Sequence, residues 1–360
     1  LTEAQRLRLR QVTKLAALLH DIGHGPLSHT TEEVMPSLKE LNVAVYQTRP
    51  AHLQAAQSAR ANHEDYTIKF LTDSPLTLVL RQAFADFSPV HVACLIDKTL
   101  PSPDDFFVIH GVDYRPVLSQ IVSSELDCDR MDYLERDSFF CGTNYGKFDL
   151  PWMIGSLTTH LQEGQLFLAI NRRALYTFDD FLLSRHHMHL MVYTHHKSII
   201  YEEMLNLYLG SKDCTFHLPS DIVEYTKYTD YKLYEHLAQS SNEWAQRIAK
   251  RRAYRVLIEL HHTQESDRPE RIKSVLENQG IHVIWSSSKN RLSKYHATSP
   301  EDSALQIFVV DQYDRWDQPS PIADSSEIFQ RYEGARIIDR LYVSPEQFVA
   351  ADTILLQKKI

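Results

Sequence analysis

The sequence is short of several features that would assign it quickly. Among 360 residues there are four cysteines, Cys94, Cys128, Cys141 and Cys214, and no two form a C-x-x-C pair. A disulfide-stapled scaffold is excluded by size, and a reducing, cytoplasmic setting is expected. No apolar run reaches the roughly 18 residues of a membrane span. No signal-peptide pattern is visible. Positive charge is also in deficit, with 38 Lys and Arg against 47 Asp and Glu, a net charge of -9. Bulk acidity argues against broad nucleic-acid binding, while a local basic pocket for a small anionic substrate stays open. Internal repeats and low-complexity tracts are absent. The chain starts at Leu1 without methionine, already beside a helical pattern. An N-terminal segment upstream of Leu1 is therefore expected.

What is present suits a globular protein. A hydrophobic content of 43% supports one large core and a smaller second domain. Apolar spacing predicts a helix over 3–20, with Leu7, Leu9, Val12, Leu15, Ala16, Leu18 and Leu19 as its apolar side and Gly23 ending the pattern. Further helices are predicted over 28–40, from His63 to Leu71, over 75–99, over 115–140, over a long 177–208, and over 227–240 and 242–262. "GQLFLAINRRALYTF" reads as a hairpin leading into the long helix. After about residue 265, "IHVIWSS", "ALQIFVV" and "RIIDRLYVSP" read as short strands. The expected fold class is mainly α, with a helical body over 1–265 and a small α/β region over 266–360 for assembly or regulation.

Nineteen histidines matter less than where they cluster. "LLHDIGHGPLSH" ends an apolar helix with His20, Asp21, His24 and His29. Where the chain turns, an imidazole nitrogen and a carboxylate oxygen can meet one divalent ion, a pairing that suits Mn, Fe, Zn or Ni. The pair alone also fits a solvated helix end. His29 reads as a structural or hydrogen-bonding residue. A second group is "DCDRMDYLERD", in which Asp129, Tyr133 and Asp137 share a helix stripe. Interleaved Met131, Leu134, Phe139 and Phe140 point to a partly buried helix. A third stripe is Arg185, His189 and Tyr193, with His195 and Lys197 nearby. A guanidinium there can give several donors to phosphate oxygens. His186 and His187 read as surface filler, and His296 and Asp311 as isolated surface or structural residues.

"HDIGHGPLSH", "NHEDY", "DCDRMDYLERD" and the Arg185–His189–Tyr193–His195 stripe, in this order, resemble the HD-domain phosphohydrolases. Within them the chain is most similar to the deoxynucleoside triphosphate triphosphohydrolases, over roughly residues 8–262. The resemblance implies an HD-domain helical body and a divalent metal (Mn, Mg, Fe, Ni or Zn) held by His20, Asp21 and Asp129. The family's first metal histidine has no counterpart here, and it is expected upstream of Leu1. His24, His63 and Asp137 match catalytic positions, with His63 in proton transfer. Arg130, Tyr133, Arg185, His189, Tyr193, His195 and Lys197 match the phosphate and sugar side of the pocket. Water attack on the α-phosphorus would release deoxynucleoside and triphosphate. The resemblance also implies a homo-oligomer, dimer to hexamer, and a possible nucleotide activator. Another HD-type phosphohydrolase or phosphodiesterase, or a non-catalytic nucleotide sensor, is the alternative.

Overall fold

The first helix begins with a reciprocal cap. Thr2 accepts the Gln5 amide, and the Gln5 side chain accepts the Thr2 amide. The helix runs Glu3–Leu19 and buries Leu9, Val12 and Ala16, spaced by three and four. Leu7 and Leu18 are exposed, so the apolar face is narrower than its leucine content suggested.

The computed structural model describes residues 1–290, 306–314, 316, 318–326, 328 and 336–358. His296 lies outside the described residues. The chain divides into two units. The first comprises Leu1–Ser184, His217–Thr229 and Ser293–Ile328. The second comprises Arg185–Phe216, Asp230–Leu292 and Phe329–Ile360.

In the first unit the helices Glu3–Leu19, His63–Thr72, Pro75–Ala83, Pro89–Ile96, Arg115–Val122 and Cys128–Phe140 carry most of the core. The single helix expected over 115–140 is two, because Asp127 caps a fresh start at Cys128. Residues 28–40 do not form one α-helix either. They form a 3-10 segment, Ser28–Val34, and one short turn, Leu38–Leu41. The observed hairpin lies earlier than the one expected within 164–178: it pairs Leu157–Gln162 with Gln165–Asn171, and Glu163 and Gly164 in its two-residue turn are both at positive φ. These strands join Val108–Ile109, Val112–Asp113, Phe308–Val310 and Ser320–Pro321 in a six-stranded sheet. Fully buried Gln120 ties a helix to this sheet, accepting from the Leu168 amide and donating to the Gln306 carbonyl. Asp311 is not isolated: it lies 3.4 Å from Arg172 and accepts the Tyr313 and Asp314 amides.

The second unit holds an antiparallel three-stranded sheet, in the order Arg255–His262, Arg336–Val343, Val283–Asn290. The helix expected over 242–262 ends at Ala249, and its second half is the first of these strands. Val256, Ile258, Leu260 and His262 gain a full ladder against the Arg336–Val343 strand, which outweighs weak local helix preference. That central strand is buried from Ile337 to Val343. Two of its charged residues have partners: Asp339 accepts from the Trp285 indole at 3.0 Å and pairs with His262 at 2.6 Å, and Arg340 donates through Nε to Glu259 at 2.5 Å. Helices Arg268–Glu277 and Phe348–Lys358 supply Ile272, Leu276, Ala351 and Leu355 to the core beside it. The helix expected over 177–208 is interrupted. Leu175–Met188 is followed by a π-turn at His189–Tyr193 and a new helix, His196–Leu209, capped by His195. The protein is mainly helical, with a small C-terminal mixed α/β region, as its sequence pattern implied.

Candidate active site

Helix Glu3–Leu19 ends just before the first candidate ligand. His20 is its C-cap, and Asp21, Gly23 and His24 lie in the turn beyond it. His20 and His24 are therefore not stacked on a helix face. Glycine is required at Gly23 by close approach and not by a left-handed φ. A Cβ there would stand 2.0 Å from the His63 carbonyl oxygen and 2.5 Å from the Thr67 nitrogen. Thr67 fastens this contact, accepting the Gly23 amide at 3.0 Å and donating to the His20 carbonyl at 2.9 Å. Tyr225 donates to the Gly23 carbonyl at 2.7 Å. Gly23→Ala should lower stability by about 3 kcal/mol or more, since backbone must shift on both sides. A chemical-denaturation midpoint equal to that of the parent would contradict this.

Two clusters meet at Asp21. The first brings His20, Asp21 and Asp129, the set that the family resemblance implies, together across 109 positions of sequence. His20 Nε2 is 3.3 Å from Asp21 Oδ2 and 3.9 Å from Asp129 Oδ2. Neighbouring donors around a small octahedral cation stand about 3 Å apart, so modest closure suffices. His20 Nδ1 faces the Ala17 carbonyl at 2.9 Å and must donate to it. That leaves Nε2 as the ligand nitrogen. The hydrogen bond to Asp129 pushes the His20 pKa up to about 9, against the effect of burial. An ion bound here would displace that proton. One imidazole and two carboxylates fit a divalent cation.

The second cluster is His24, His29, Glu32 and His63. His24 Nε2 is 3.5 Å from Asp21 Oδ1, which joins the two groups. Donor types alone would permit a second ion, but ring geometry opposes it. His24 and His63 are stacked, 3.9 Å between centroids and 9° between planes. Lone pairs in nearly parallel planes do not converge on one ion. Glu32 instead accepts from His63 Nδ1 at 2.5 Å and from His29 Nδ1 at 3.0 Å. Burial opposes ionisation of Glu32, but these two bonds outweigh it and hold the carboxyl below its ordinary value. Asp21 is treated alike: burial raises it, and the His24 bond with the His20 charge brings it lower. This second cluster has the makings of a proton-transfer relay.

Glu32, Thr67 and Tyr225 were not legible as site residues. Glu32 sits on the 3-10 segment, where helical periodicity gave it no face in common with His63. Its only sequence signal is its place three residues after His29.

The helix Cys128–Phe140 presents Asp129 in its first turn. Tyr133 and Asp137 follow at intervals of four, both half-buried. The helix is partly buried: Met131 and Leu134 are buried, while Phe139 and Phe140 are exposed. The Arg130 guanidinium is held by Asp127 and the Ser124 carbonyl. The other expected substrate contacts belong to the second unit. There Arg185 is buried, and the His189 and Tyr193 rings meet edge to face at 5.0 Å. His195 and Lys197 are exposed, and His195 Nδ1 accepts the Lys197 amide. His186 is buried rather than surface filler, and burial depresses its pKa, with the His187 charge adding to this. Among the described residues no helix is long and apolar enough to cross a membrane.

Comparison with known proteins agrees with this geometry. Residues 4–137 match the family model described as the HD domain, and residues 149–279 that described as the HD associated region. An uncharacterized protein of Mycoplasma pneumoniae is 30% identical over 64% of this chain and 46% of its own length. A Dictyostelium discoideum protein named as a deoxynucleoside triphosphate triphosphohydrolase homolog is 24% identical over 52% of this chain and 31% of its own. The chain thus spans less than half the length of these curated relatives. A hypothetical protein of Aquifex aeolicus has the same fold, with TM-score 0.69 and 23% identity over 96% of this chain and 80% of that one. A phosphohydrolase of Bacteroides thetaiotaomicron superposes with TM-score 0.60 and 19% identity over 96% and 81%. His20, Asp21 and Asp129 all lie within residues 4–137, the stretch that matches the HD-domain model, and they form one of the donor groups that could hold a metal ion in a chain that shares its fold with these solved structures.

Proposed function

We propose that the chain hydrolyses deoxynucleoside triphosphates to deoxynucleoside and triphosphate in a metal-dependent reaction. One observation carries the hydrolytic part: a cation-binding donor set and a histidine–glutamate relay share Asp21 as their common neighbour. The choice of substrate is supported by the ordered motifs and by the similarity to the Dictyostelium relative.

A divalent ion at His20, Asp21 and Asp129 supplies, when bound, polarisation of a phosphoryl oxygen and a more acidic water. The remaining work falls to the chain. Water oxygen forms a bond to the α-phosphorus, and the bond from phosphorus to the 5'-oxygen breaks. His63 delivers a proton to that departing oxygen. Its Nδ1–H is committed to Glu32, so Nε2 is the nitrogen that exchanges. Glu32 fixes the orientation of the ring through that bond, while stacking on His24 limits its rotation. Arg130 offsets phosphate charge. On the family resemblance, Asp137 is assigned to catalysis beside His24 and His63, and Tyr133, Arg185, His189, Tyr193, His195 and Lys197 are assigned to sugar and polyphosphate. Homo-oligomerisation, nucleotide activation and a cytoplasmic location belong to the same proposal.

A panel of deoxynucleoside triphosphates with Mn2+ should yield deoxynucleoside and inorganic triphosphate, separated by ion-exchange chromatography. Pyrophosphate with the monophosphate, or orthophosphate with the diphosphate, would sink the assignment. Turnover of monophosphates or cyclic nucleotides instead would transfer the chain to another class of HD phosphohydrolase.

A further inference from the structure

Asp127 is 3% exposed and lies two residues before a proposed metal ligand. It is the N-cap of the helix Cys128–Phe140, and Asp129 is the second residue of that helix. Its Oδ1 accepts the Arg130 amide at 2.8 Å, and its Oδ2 accepts the Ser124 amide at 2.9 Å. The same Oδ2 receives Nη1 of Arg130, which also donates to the Ser124 carbonyl. Lys98 donates to the neighbouring Ser123 carbonyl at 2.6 Å. One carboxylate thus ties the incoming loop to the first helical turn and grips a guanidinium by one nitrogen. Among the described residues the Nε and Nη2 of Arg130 make no hydrogen bond, while the charge of Glu125 also acts on the guanidinium. A serine or asparagine would suffice as a cap alone. A buried carboxylate is costly without a matched cation, so its presence here has a use beyond capping.

We propose that Asp127 is the positioning residue of this site. It sets the carboxylate of Asp129 through the helix start, and it anchors Arg130 by Nη1 so that the rest of the fork is left for phosphate oxygens. The two tasks are separable because they use different bonds. Serine at this position can accept the helix amide but cannot hold a guanidinium. This proposal rests on the function proposed above for the role of the metal and of Arg130.

The test is calorimetry on the whole chain with two probes, Mn2+ alone and then inorganic tripolyphosphate in the presence of Mn2+. Asp127→Ala should weaken Mn2+ binding by about 10- to 100-fold, the range for residues that orient ligands. Asp127→Ser should recover Mn2+ affinity to within about threefold, since the cap is restored, yet keep tripolyphosphate binding at least about tenfold weaker. Arg130→Gln should leave Mn2+ affinity in place and weaken only tripolyphosphate. Should Asp127→Ala fail to fold, the serine variant still decides. Equal recovery of both affinities in Asp127→Ser overturns the Arg130 half, and recovery of neither overturns the capping half. A parent chain that binds Mn2+ but hydrolyses no nucleotide would sink the proposed function and leave this assignment standing.

Discussion

Asp129→Ala is expected to remove metal-dependent turnover, with kcat/KM falling by at least about 1,000-fold. Two of the three donors remain adjacent in sequence, but the carboxylate that reaches His20 from the helix Cys128–Phe140 is gone. Mn2+ affinity should fall by more than about 100-fold, beyond what loss of an orienting residue produces. A second readout separates loss of a ligand from loss of fold. In the metal-free protein the Asp129 bond is the main reason His20 titrates near 9. Without it the His20 ring resonance should titrate closer to 6.5, the ordinary value for histidine. Full activity and metal content in this variant would refute the ligand role.

Glu32→Gln and His63→Ala are expected to do the opposite to the metal. Both should lower kcat by about 100- to 10,000-fold, the span typical of a positioned acid or base. Mn2+ affinity should stay within about threefold of the parent, because stacked His24 and His63 do not form a metal site. Glu32→Gln is the sharper test, since it keeps shape and removes only the charge that pairs with His63. The pH range is set by Glu32. Its folded pKa is depressed below 4.5, so the pairing is fully present above that value and dissolves as pH falls through the depressed one. The two variants should therefore differ from the parent throughout neutral pH. Equal loss of metal and activity in His63→Ala would instead make the second cluster an ion site and overturn the relay.

Local pattern was enough to read several elements. The helices Glu3–Leu19 and His63–Thr72 follow from apolar spacing and side-chain caps, whereas only the second strand of the hairpin falls in the stretch read as one. The reading went astray where long-range contacts overrule local preference. Residues 255–262 form a strand because Arg336–Val343 pairs with them, eighty residues downstream. The stripe from Arg185 to Tyr193 passes into a π-turn, where an interval of four no longer marks one straight face. The helix Cys128–Phe140 is partly buried, as its interleaved apolar residues implied, but through Met131, Leu134 and Ser138, while Phe139 and Phe140 are exposed.

The sequence by itself determined the chemical inventory of the site: an imidazole and a carboxylate at a helix end, a distant aspartate on a helical stretch, and further histidines. Donor type and order are properties of residues, and they survive without coordinates. Tertiary structure alone decided which histidines stand beside which carboxylates. Whether His24 and His63 bind an ion or pass a proton depends on the angle between two ring planes from separate segments. Glu32 became visible only when the 3-10 segment carried its carboxylate to His63, 31 positions away. Gly23 likewise owes its identity to a neighbouring helix that leaves no room for a Cβ, a constraint imposed by packing and absent from the turn itself.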